Sequence, residues 1–406
     1  MTLKVVLHIL HSIRSIYILT NLSDVWFFIL KTCQSISSIF CFTSTNAGTL
    51  MMITSRAAQD GSRVEQGLDD GAFGMHTIAE GRSFDCNHKL LVKRSWIGGK
   101  DDWLVTTDGS YDMQLINPIT GDVVPLPSFT TVQELHIDTY QDDLHVIYEH
   151  RHIFRRVVLC QTPSSPNGHF AIALFDDGLM ACTARGQPDW KLFTHPTQLF
   201  SGCYTDYPEV FLDAVVHQGH VIAVNEGGYM YSWSMDDPEA YPSKVTPPEF
   251  SEEHDTRVCY LATSPNNQLL LVCVHGEGKS YYEPRLRMVE SEHDRIEKPA
   301  AISIHVYDDT EHVWRRTQTI APGVSLFLGM NYPLYGRWSN VKSDRVYIAN
   351  MAGNDSIIFS LNNEADSSIE VQDYPIEEQY HLLDGHSIRT PMWFRPTTPS
   401  LTARGA

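Results

Sequence analysis

The segment SWIGGKDDWLVTTDGSYDMQLINPITGDVVPLP, residues 95–127, contains three short strand-like runs separated by turn residues. The runs are 103–107, 113–116 and 123–126. The first and last are apolar and rich in β-branched residues, and the middle one alternates between apolar and polar positions. Asp108-Gly109 is a hairpin signal, and Asn117-Pro118 opens a second turn. Strand, turn, strand, turn, strand within about thirty residues is typical of one blade of a β-propeller.

The same pattern continues along most of the chain. A hairpin is predicted over 82–94, with its turn at Asn87-His88. Later strand-like runs fall at 156–162, 169–177, 179–185, 211–218, 220–227, 229–235, 259–265, 268–276, 301–309, 312–320, 324–331, 345–351 and 356–363. Groups of three or four runs fit four-stranded blades, and counting them gives about six blades, with five or seven left open. We therefore predict an all-β protein with the architecture of a β-propeller.

Two features predict how the repeats are arranged. Trp190 and Trp314 each follow an Asp-bearing turn near the end of a unit and are 124 residues apart, close to three periods of about 41. The run 392–394 is expected to pair beside the 82–94 hairpin, because closure of the ring removes exposed sheet edges. The alternative is a pair of β-sandwiches in which the two tryptophans are alike by coincidence.

Four regions are predicted: an apolar N-terminal segment (1–54), a linker rich in Ser, Gly, Asp and Gln (55–75), the propeller (76–396) and a C-terminal tail (397–406). Residues 3–43 are apolar, but Arg14, Asp24 and Lys31 divide them into pieces that are too short to cross a membrane. Three interpretations of the N-terminal segment stay open: a small helical module, an uncleaved targeting segment and a gene-model artefact.

The chain is acidic, with 30 basic and 49 acidic residues and a formal net charge of −19. Residues 1–50 contain Lys4, Arg14, Lys31 and Asp24, so the other residues carry 27 basic and 48 acidic side chains, a net charge of −21. Such a body repels a phosphate backbone, so nucleic acid is not expected as a partner. A basic protein surface would be attracted to it, whereas acidity for solubility alone is the competing explanation.

The eight cysteines stand at 33, 41, 86, 160, 182, 203, 259 and 273, and no two are closer than eight residues. The chain therefore lacks the CxxC pairs of zinc and redox sites. Several cysteines lie inside apolar strand-like runs, where a thiol packs as a small core residue. This usage indicates reduced thiols and an intracellular protein. Because residues 1–54 are apolar, N-terminal targeting or membrane association stays open.

No catalytic motif is found: the chain has no GxxxxGK[ST], no GxGxxG after a strand, no GxSxG and no HExxH. The densest histidine cluster is His145, His150 and His152 with Glu149. A metal site there competes with histidines that are exposed or hydrogen-bonded in a loop. We predict no catalytic residue, no metal site and no cofactor.

Several polar motifs are interpreted as turns. His217-Gln-Gly-His220 fits a hairpin turn. Aspartate doublets begin at 69, 101, 142, 176, 236 and 308. They are interpreted as turn caps, in which the carboxylate accepts backbone N–H groups. An acidic rim for a basic partner or for Ca²⁺ is the competing explanation, although no DxDxDG spacing supports calcium.

The main candidate for partner binding is an insertion over 276–300, which separates two strands of one blade. It contains Tyr281, Tyr282, Arg285 and Arg287. Tyrosine and arginine are enriched at protein interfaces, and long loops on a rigid scaffold often carry binding. We predict these four residues as a partner-binding loop, with a disordered surface loop as the competing interpretation.

A set of runs occurs in a characteristic order: WLVTTD (103–108), LINPITGDVVPLP (115–127), RRVVLC (155–160), FLDAVVHQGH (211–220), YLATS (260–264), VSLFLGMN (324–331), RVYIAN (345–350) and WFRP (393–396). This set resembles the plant KIB-type β-propeller, an F-box-associated domain of unknown function, over about residues 80–396. The resemblance implies a propeller that presents a protein substrate. In family members with an F-box, that module recruits a Skp-type adaptor and hence a cullin ubiquitin ligase.

The chain departs from this family pattern at its N-terminus. An F-box would show Leu-Pro near its start and a Val-Cys-x-x-Trp-type run near its end, whereas residues 1–50 contain no proline. Residues 24–35 are only faintly similar to the closing helix. The resemblance therefore supports the propeller without a recognisable F-box, and a Skp-type adaptor is a doubtful partner.

Three hypotheses for function follow. The first is a non-enzymatic propeller that binds a protein, as a substrate-recognition subunit or a descendant of F-box receptors. The second is a propeller enzyme of hydrolase type, which would need convergent Asp, Glu or His side chains or a metal in its channel. The expected inner runs are 157–159, 214–216, 261–263 and 326–328. They are mostly apolar, which favours packing over chemistry. The third is a degenerate paralogue with no retained partner.

Overall fold

The computed structural model describes residues 51–55, 71–78, 83–132, 154–175, 178–194, 196, 210–225, 228–249, 256–276, 299–338, 341–349, 355–361, 369–373 and 391–396. These residues form 25 β-strands and two short 3₁₀ helices, and no α-helix occurs among them. The prediction of an all-β protein is confirmed.

Five sheets contain four strands each, and we call them blades I to V. Blade I consists of β25 (Met392–Phe394), β1 (Met51–Ser55), β2 (Ala72–Thr77) and β3 (Ser83–Asn87), in that spatial order. Blade II consists of β4 (Ser95–Lys100), β5 (Trp103–Thr107), β6 (Met113–Ile116) and β7 (Val123–Leu126). Blade III consists of β8 (Phe154–Gln161), β9 (Phe170–Phe175), β10 (Met180–Ala184) and β11 (Lys191–Leu192). Blade IV consists of β12 (Phe211–His217), β13 (His220–Asn225), β14 (Met230–Ser234) and β15 (Ser243–Val245). Blade V consists of β16 (Thr256–Thr263), β17 (Leu269–Gly276), β18 (Pro299–Asp308) and β19 (Val313–Thr317).

A sixth sheet differs from the blades. It consists of β20 (Ser325–Leu328), β21 (Leu334–Gly336), β22 (Arg345–Ala349), β23 (Asp355–Ser360) and β24 (Ile369–Asp373), in the spatial order β21-β20-β22-β23-β24. Strands β20 and β22 run parallel, whereas the other neighbours are antiparallel. The described residues therefore form five four-stranded blades, and the prediction of six is wrong. The cause is local: β21 folds back and pairs with β20 along the edge opposite to β22, which adds a fifth strand to this sheet.

The first strands of the blades meet around a central channel. Strand β4 contacts β8, β8 contacts β12, β12 contacts β16, and β25 contacts β4. We letter the strands of each blade A to D from this channel outwards. The AB face carries the connections between strands A and B, and the BC face carries those between strands B and C. Because neighbouring strands within a blade are antiparallel, these two faces lie at opposite ends of the channel.

The strands and turns predicted within residues 95–127 are confirmed. Strands β5, β6 and β7 have the predicted bounds, and β4 adds an inner strand before them. At the first turn, Asp108 Oδ1 accepts the backbone N–H groups of Ser110 (2.9 Å) and Asp112 (3.0 Å). At the second, Asn117 Oδ1 accepts two backbone N–H groups at 3.0 Å each. Side chains close in sequence make these turns, which is why the sequence pattern reveals them.

The hairpin predicted over 82–94 is wrong in its second half. Strand β3 is present, but Lys89–Leu91 forms a 3₁₀ helix whose first turn is capped by the His88 imidazole, at 3.3 Å from the Leu90 N–H. The physical reason is topological. Strand β3 is the outermost strand of blade I and β4 is the innermost strand of blade II, so the chain must cross from the rim to the channel here.

The ring closes through an antiparallel pair of distant segments. Strand β25 pairs with β1, with Met51 opposite Phe394. The predicted closing strand at 392–394 is therefore present, but its direct neighbour is β1 rather than the 82–94 hairpin. Strand β1 and most of β2 also lie before residue 76, where the propeller was expected to begin. The five-residue strand β1, MMITS, has no turn residues and no second strand-like run next to it, so nothing in the sequence identifies it as part of a hairpin.

The tryptophan repeat is real but has a different period. Trp190 Nε1 donates to Pro127 O (2.8 Å), and Trp314 Nε1 donates to Thr246 O (2.9 Å). In both cases the tryptophan is at the outermost strand of its blade. Its indole N–H donates to a backbone carbonyl of the preceding blade, at the residue just after that blade's outermost strand. Trp233, on strand C of blade IV, makes the similar bond to Thr194 O (2.9 Å). Trp190 and Trp314 thus stand two blades apart, not three, because the connections are longer than in a minimal repeat.

Blades II and III approach each other closely at Gly98. A Cβ atom at this position would lie 1.9 Å from Val157 O on the neighbouring inner strand. Strand β4 also has a register shift between Trp96 and Gly98. Glycine within a strand is typical of a bulge and of close backbone approach. This glycine therefore sets the spacing of two inner strands beside the channel.

Candidate functional site

A buried ion pair joins the inner strands of blades III and IV. Arg156 Nη1 lies 2.7 Å from Asp213 Oδ1, and both side chains are buried. Arg156 also donates through Nε to Met330 O (3.1 Å) and through Nη2 to Asn331 O (2.7 Å). One guanidinium therefore links β8, β12 and the residues that follow β20.

Asp213 is held by more than the guanidinium. Its Oδ1 accepts the N–H of Ala214 (2.8 Å), and its Oδ2 accepts the N–H of Leu261 on the inner strand of blade V (2.9 Å). Burial raises the pKa of the Asp213 carboxyl, while Arg156 and the two backbone N–H groups oppose that rise. Every oxygen of this carboxylate has a partner within the protein. Its arrangement fits a structural link between blades rather than a general acid or base.

Tyr332 fills the AB end of the channel. Its backbone N–H donates to Gly99 O on β4 (2.7 Å), and its side chain hydrogen-bonds Thr263 at the end of β16. Lys100 Nζ lies 3.7 Å from the centre of the Tyr332 ring and donates to Cys160 O (2.5 Å). Burial lowers the pKa of the Lys100 ammonium and raises the pKa of the Tyr332 hydroxyl. Tyr332 and Lys100 thus join groups of blades II, III and V at this end.

The inner strands offer little for hydrolysis. Among the residues that the structure describes on β4, β8, β12, β16, β20 and β25, Asp213 is the one carboxylate, and it is paired. The expected inner runs 157–159, 214–216 and 261–263 do lie on A strands. The run 326–328 lies on β20, which is second in its sheet, between β21 and β22. Across the same described residues, no three His, Cys, Asp or Glu side chains converge as metal ligands would.

The residues that organise the channel were not singled out from the sequence. Arg156 and Asp213 stand inside the apolar runs RRVVLC and FLDAVV. A charged residue in such a run is rarely buried unless it is paired, so the two runs together carried a signal for a buried pair. The residues before Tyr332 carried no such signal. No pattern in the sequence around them shows that the residues after β20 reach the inner strands of other blades.

The aspartate doublets are partly turn caps. Asp308 Oδ1 accepts the N–H groups of Thr310 (3.1 Å) and Glu311 (3.2 Å), and these bonds, led by the Glu311 amide, lower the pKa of its carboxyl. Asp309 has another role, because it contacts the His217 imidazole (3.2 Å) of the neighbouring blade. Asp101 pairs with Arg395. The doublets at 69, 142 and 176 lie outside the described residues.

The hairpin predicted at His217–His220 is confirmed. These two residues pair across the turn, and Gln218 and Gly219 adopt positive φ angles of 47° and 77°. This is the two-residue turn that matches the twist of a hairpin. The histidine cluster at 145–152, with His145, Glu149, His150 and His152, lies outside the described residues.

The predicted partner-binding residues Tyr281, Tyr282, Arg285 and Arg287 also lie outside the described residues. The two strands that flank them are described. Strand β17 ends at Gly276 and β18 begins at Pro299, and these two residues are paired in the sheet. The connection therefore leaves and returns at one end of blade V, between its strands B and C. That end is the BC face.

An exposed aromatic residue lies on the same face in the adjacent blade. Tyr229 stands between β13 and β14 of blade IV and is 46% exposed. Its N–H donates to Asn225 Oδ1 (2.7 Å), and Lys244 Nζ lies 4.7 Å from the centre of its ring. A tyrosine fixed by its backbone and stacked beneath a cation loses little entropy on binding, and such residues often dominate interfaces. Sequence reasoning missed Tyr229, because one tyrosine in a strand-rich chain is not distinctive.

Two buried thiols of blade III are predicted to be inert. Burial raises the pKa of the Cys160 thiol to about 12 and that of Cys182 to about 11. Because the thiolate is the reacting form, we expect iodoacetamide at neutral pH to modify half-buried Cys86 in the native protein and to leave these two unmodified. Peptide mass spectrometry after labelling, with a guanidinium-unfolded control, measures this. Equal labelling rates at Cys86 and Cys160 would contradict the expectation.

Comparison with known proteins agrees with this architecture. The KIB1-4 beta-propeller family matches residues 75–371. The chain belongs to this family. The match includes every strand from β4 to β23, and it confirms the family that the ordered runs of the sequence resemble.

Other comparisons are more distant. No curated protein matches the chain by sequence. The Cps50 (Swd1) β-propeller domain of Myceliophteria thermophila is similar with a TM-score of 0.37 and 8% identity, over 86% of this chain and 90% of that chain. YCF48 from Cyanidioschyzon merolae is similar with a TM-score of 0.35 and 11% identity, over 69% of this chain and 72% of that chain. Neither likeness is close enough to transfer a site.

Among the described residues, no helix has the length and apolar character that crossing a membrane would require.

Proposed function

We propose that this KIB-type propeller is a non-enzymatic interaction module that binds a protein on its BC face. The observation that carries the proposal is Tyr229, an exposed and locally fixed aromatic residue on the face from which the insertion of blade V departs. At the opposite end of the channel Tyr332 is buried, and Lys100 lies over its ring. We infer that Tyr229 and the insertion contact the same partner.

The charge of the chain suggests the chemistry of that partner. A net charge of −19 attracts a basic surface, and long-range attraction raises the rate of association. Relationship to the substrate-recognition domains of F-box receptors is part of the proposal. In that role the partner would be a protein delivered for ubiquitination, and an adaptor of the Skp type would bind elsewhere on the chain. The proposed location is the cytoplasm or the nucleus, in keeping with the reduced cysteines.

The test is a pull-down with the full chain and three variants. Deletion of 279–298 and Tyr229→Ala should each leave folding intact and weaken capture, by roughly 30-fold in Kd for the tyrosine, as expected for an interface hot spot worth about 2 kcal/mol. Tyr241→Ala is the matched control, because Tyr241 is 47% exposed but lies in the connection between strands C and D, on the AB face. Thermal melting verifies that each variant is folded.

The outcomes test separately the binding face, the recruitment of a ligase and the charge of the partner. Capture that falls with the deletion and with Tyr229→Ala, but not with Tyr241→Ala, supports the BC face. Capture unchanged by both BC-face variants removes that face. A Skp-type adaptor and a cullin among the captured proteins support ligase recruitment, whereas a specific partner without them leaves an interaction propeller outside that pathway. Capture that does not weaken as salt concentration rises would contradict a basic partner.

A further inference from the structure

Two cysteine side chains meet in the core of blade V. Cys259 on β16 stands directly opposite Cys273 on β17, and their sulfur atoms are 3.2 Å apart. Their side chains are 2% and 0% exposed. Directly opposed residues of antiparallel strands have Cα atoms about 4.5–5.5 Å apart, which lies within the range that a disulfide requires. The two sulfurs can therefore bond without a change of strand register.

We propose that Cys259 and Cys273 are an oxidation site that closes to a disulfide within blade V when the protein meets a hydroperoxide. The other described buried thiols have no such geometry. Cys160 and Cys182 lie on β8 and β10, and strand β9 separates them. The proposal is independent of the partner and of the BC face.

Two imidazoles and a hydroxyl lie on the same side of the sheet as these thiols. Ser303 stands opposite Cys273 on β18, and its Oγ is 2.9 Å from His275 Nε2 and 3.2 Å from His305 Nε2. His275 is two residues beyond Cys273, so both side chains project from one face of the sheet. Burial, with a smaller effect of Arg316, lowers the pKa of His305, which keeps that imidazole neutral at physiological pH. The two imidazoles lie in the same row of side chains as the thiols, and we assign them as the proton acceptors of the proposed oxidation.

The reaction with hydrogen peroxide is balanced as follows. One thiol loses its proton to an imidazole, and the thiolate attacks a peroxide oxygen, which breaks the O–O bond and leaves a sulfenic acid and hydroxide. The hydroxide takes the proton back and becomes water. The second sulfur then attacks the sulfenic sulfur, the S–O bond breaks, and its oxygen leaves as a second water with the proton of the second thiol. Two thiols have lost one electron each, and one peroxide has become two waters.

The position of the bond gives it a structural consequence. Strand β16 is the inner strand of blade V, and two residues beyond Cys259 the N–H of Leu261 donates to Asp213. A disulfide between β16 and β17 would therefore fix the strand that holds the buried carboxylate of the channel. We expect the oxidised protein to melt several degrees higher than the reduced protein, because the crosslink restricts the unfolded chain.

The experiment uses the full chain and a peptide map without reduction. Both cysteines fall in one tryptic peptide, 258–279, which contains no other cysteine. After hydrogen peroxide, quenching, and alkylation in denaturant, the expected product is that peptide without alkyl groups and lighter by two hydrogen atoms. A reductant added before alkylation should restore two alkyl groups. If the peptide remains doubly alkylated under conditions that oxidise half-buried Cys86, the proposal is overturned.

Variants distinguish the site from general oxidation. In Cys273→Ala the peptide should not lose the two hydrogen atoms, and Cys182→Ala is the control in which the disulfide should still form. His275→Gln should slow formation of the disulfide without lowering its final yield. A two-hydrogen loss that persists in Cys273→Ala would show chemistry elsewhere in the peptide and would contradict the assignment. The melting temperature of each variant before oxidation verifies that it is folded.

Discussion

Replacing Asp213 by asparagine is expected to lower the free energy of unfolding by about 3–5 kcal/mol, because it leaves the buried Arg156 guanidinium without its counter-charge. Arg156→Met should cost about the same, since it leaves the carboxylate buried and unpaired. Chemical denaturation followed by tryptophan fluorescence measures both. Much of the loss is the penalty of one isolated charge rather than the strength of the pair.

The double variant tests this reason. Arg156→Met combined with Asp213→Leu removes both charges and should be less destabilising than the sum of the two single variants, because no isolated charge stays buried. It should not reach the stability of the native chain, since Met330 O, Asn331 O and the N–H groups of Ala214 and Leu261 lose their partners. Asp309→Asn is the matched control. Its carboxylate also contacts another blade, through His217, but it is 39% exposed, and we expect a change below about 1 kcal/mol. If Asp213→Asn and Asp309→Asn unfold at the same denaturant concentration, the central role of the buried pair is wrong.

The second large effect concerns closure of the ring. A chain that ends at residue 391 lacks β25 and should lose its cooperative unfolding transition. Met392, Trp393 and Phe394 are all buried, and truncation of a buried large side chain costs about 3–5 kcal/mol, against about 5–15 kcal/mol for a whole domain. Loss of β25 also leaves β1 without its neighbour on the channel side. Calorimetry of the truncated chain measures this.

The matched control is a chain that ends at residue 396. It keeps β25 and the ion pair between Arg395 and Asp101, and we expect it to melt like the full chain. Trp393→Phe is a milder variant that keeps an aromatic ring but loses the bond from Trp393 Nε1 to Leu328 O (2.7 Å), and it should cost about 1 kcal/mol. A cooperative transition in the chain that ends at 391 would show that closure is not needed for folding.

Local patterns predicted most strands, because the strands and turns of this chain are formed by residues that are close together in the sequence. Asp108 and Asn117 bond backbone N–H groups within four residues, so their turns are visible without any knowledge of the fold. The alternating and apolar runs on either side were predicted for the same reason. The 3₁₀ helix at Lys89–Leu91 was missed, because its place depends on the crossing from the rim to the channel.

The candidate site was predicted less completely. The sequence pointed to the insertion with Tyr281 and Arg285, which stays a prediction, and it did not indicate Tyr229. It also gave no sign that Cys259 and Cys273 are opposite each other. Their 14 residues of separation become a 3.2 Å contact through the register of one hairpin. A shift of that register by one residue would place the two sulfurs on opposite faces of the sheet.

By itself, the sequence determined that this chain is an all-β protein of repeated hairpins, that its body is acidic, and that it resembles the KIB-type propeller. Each of these depends on composition or on residues close together along the chain. Only the tertiary structure decided the number of four-stranded blades, the pairing of β25 with β1, and the meeting of Arg156, Asp213 and Tyr332 in the channel. These contacts join residues far apart in the chain, so they depend on how all the sheets pack, and no local pattern of side chains encodes them.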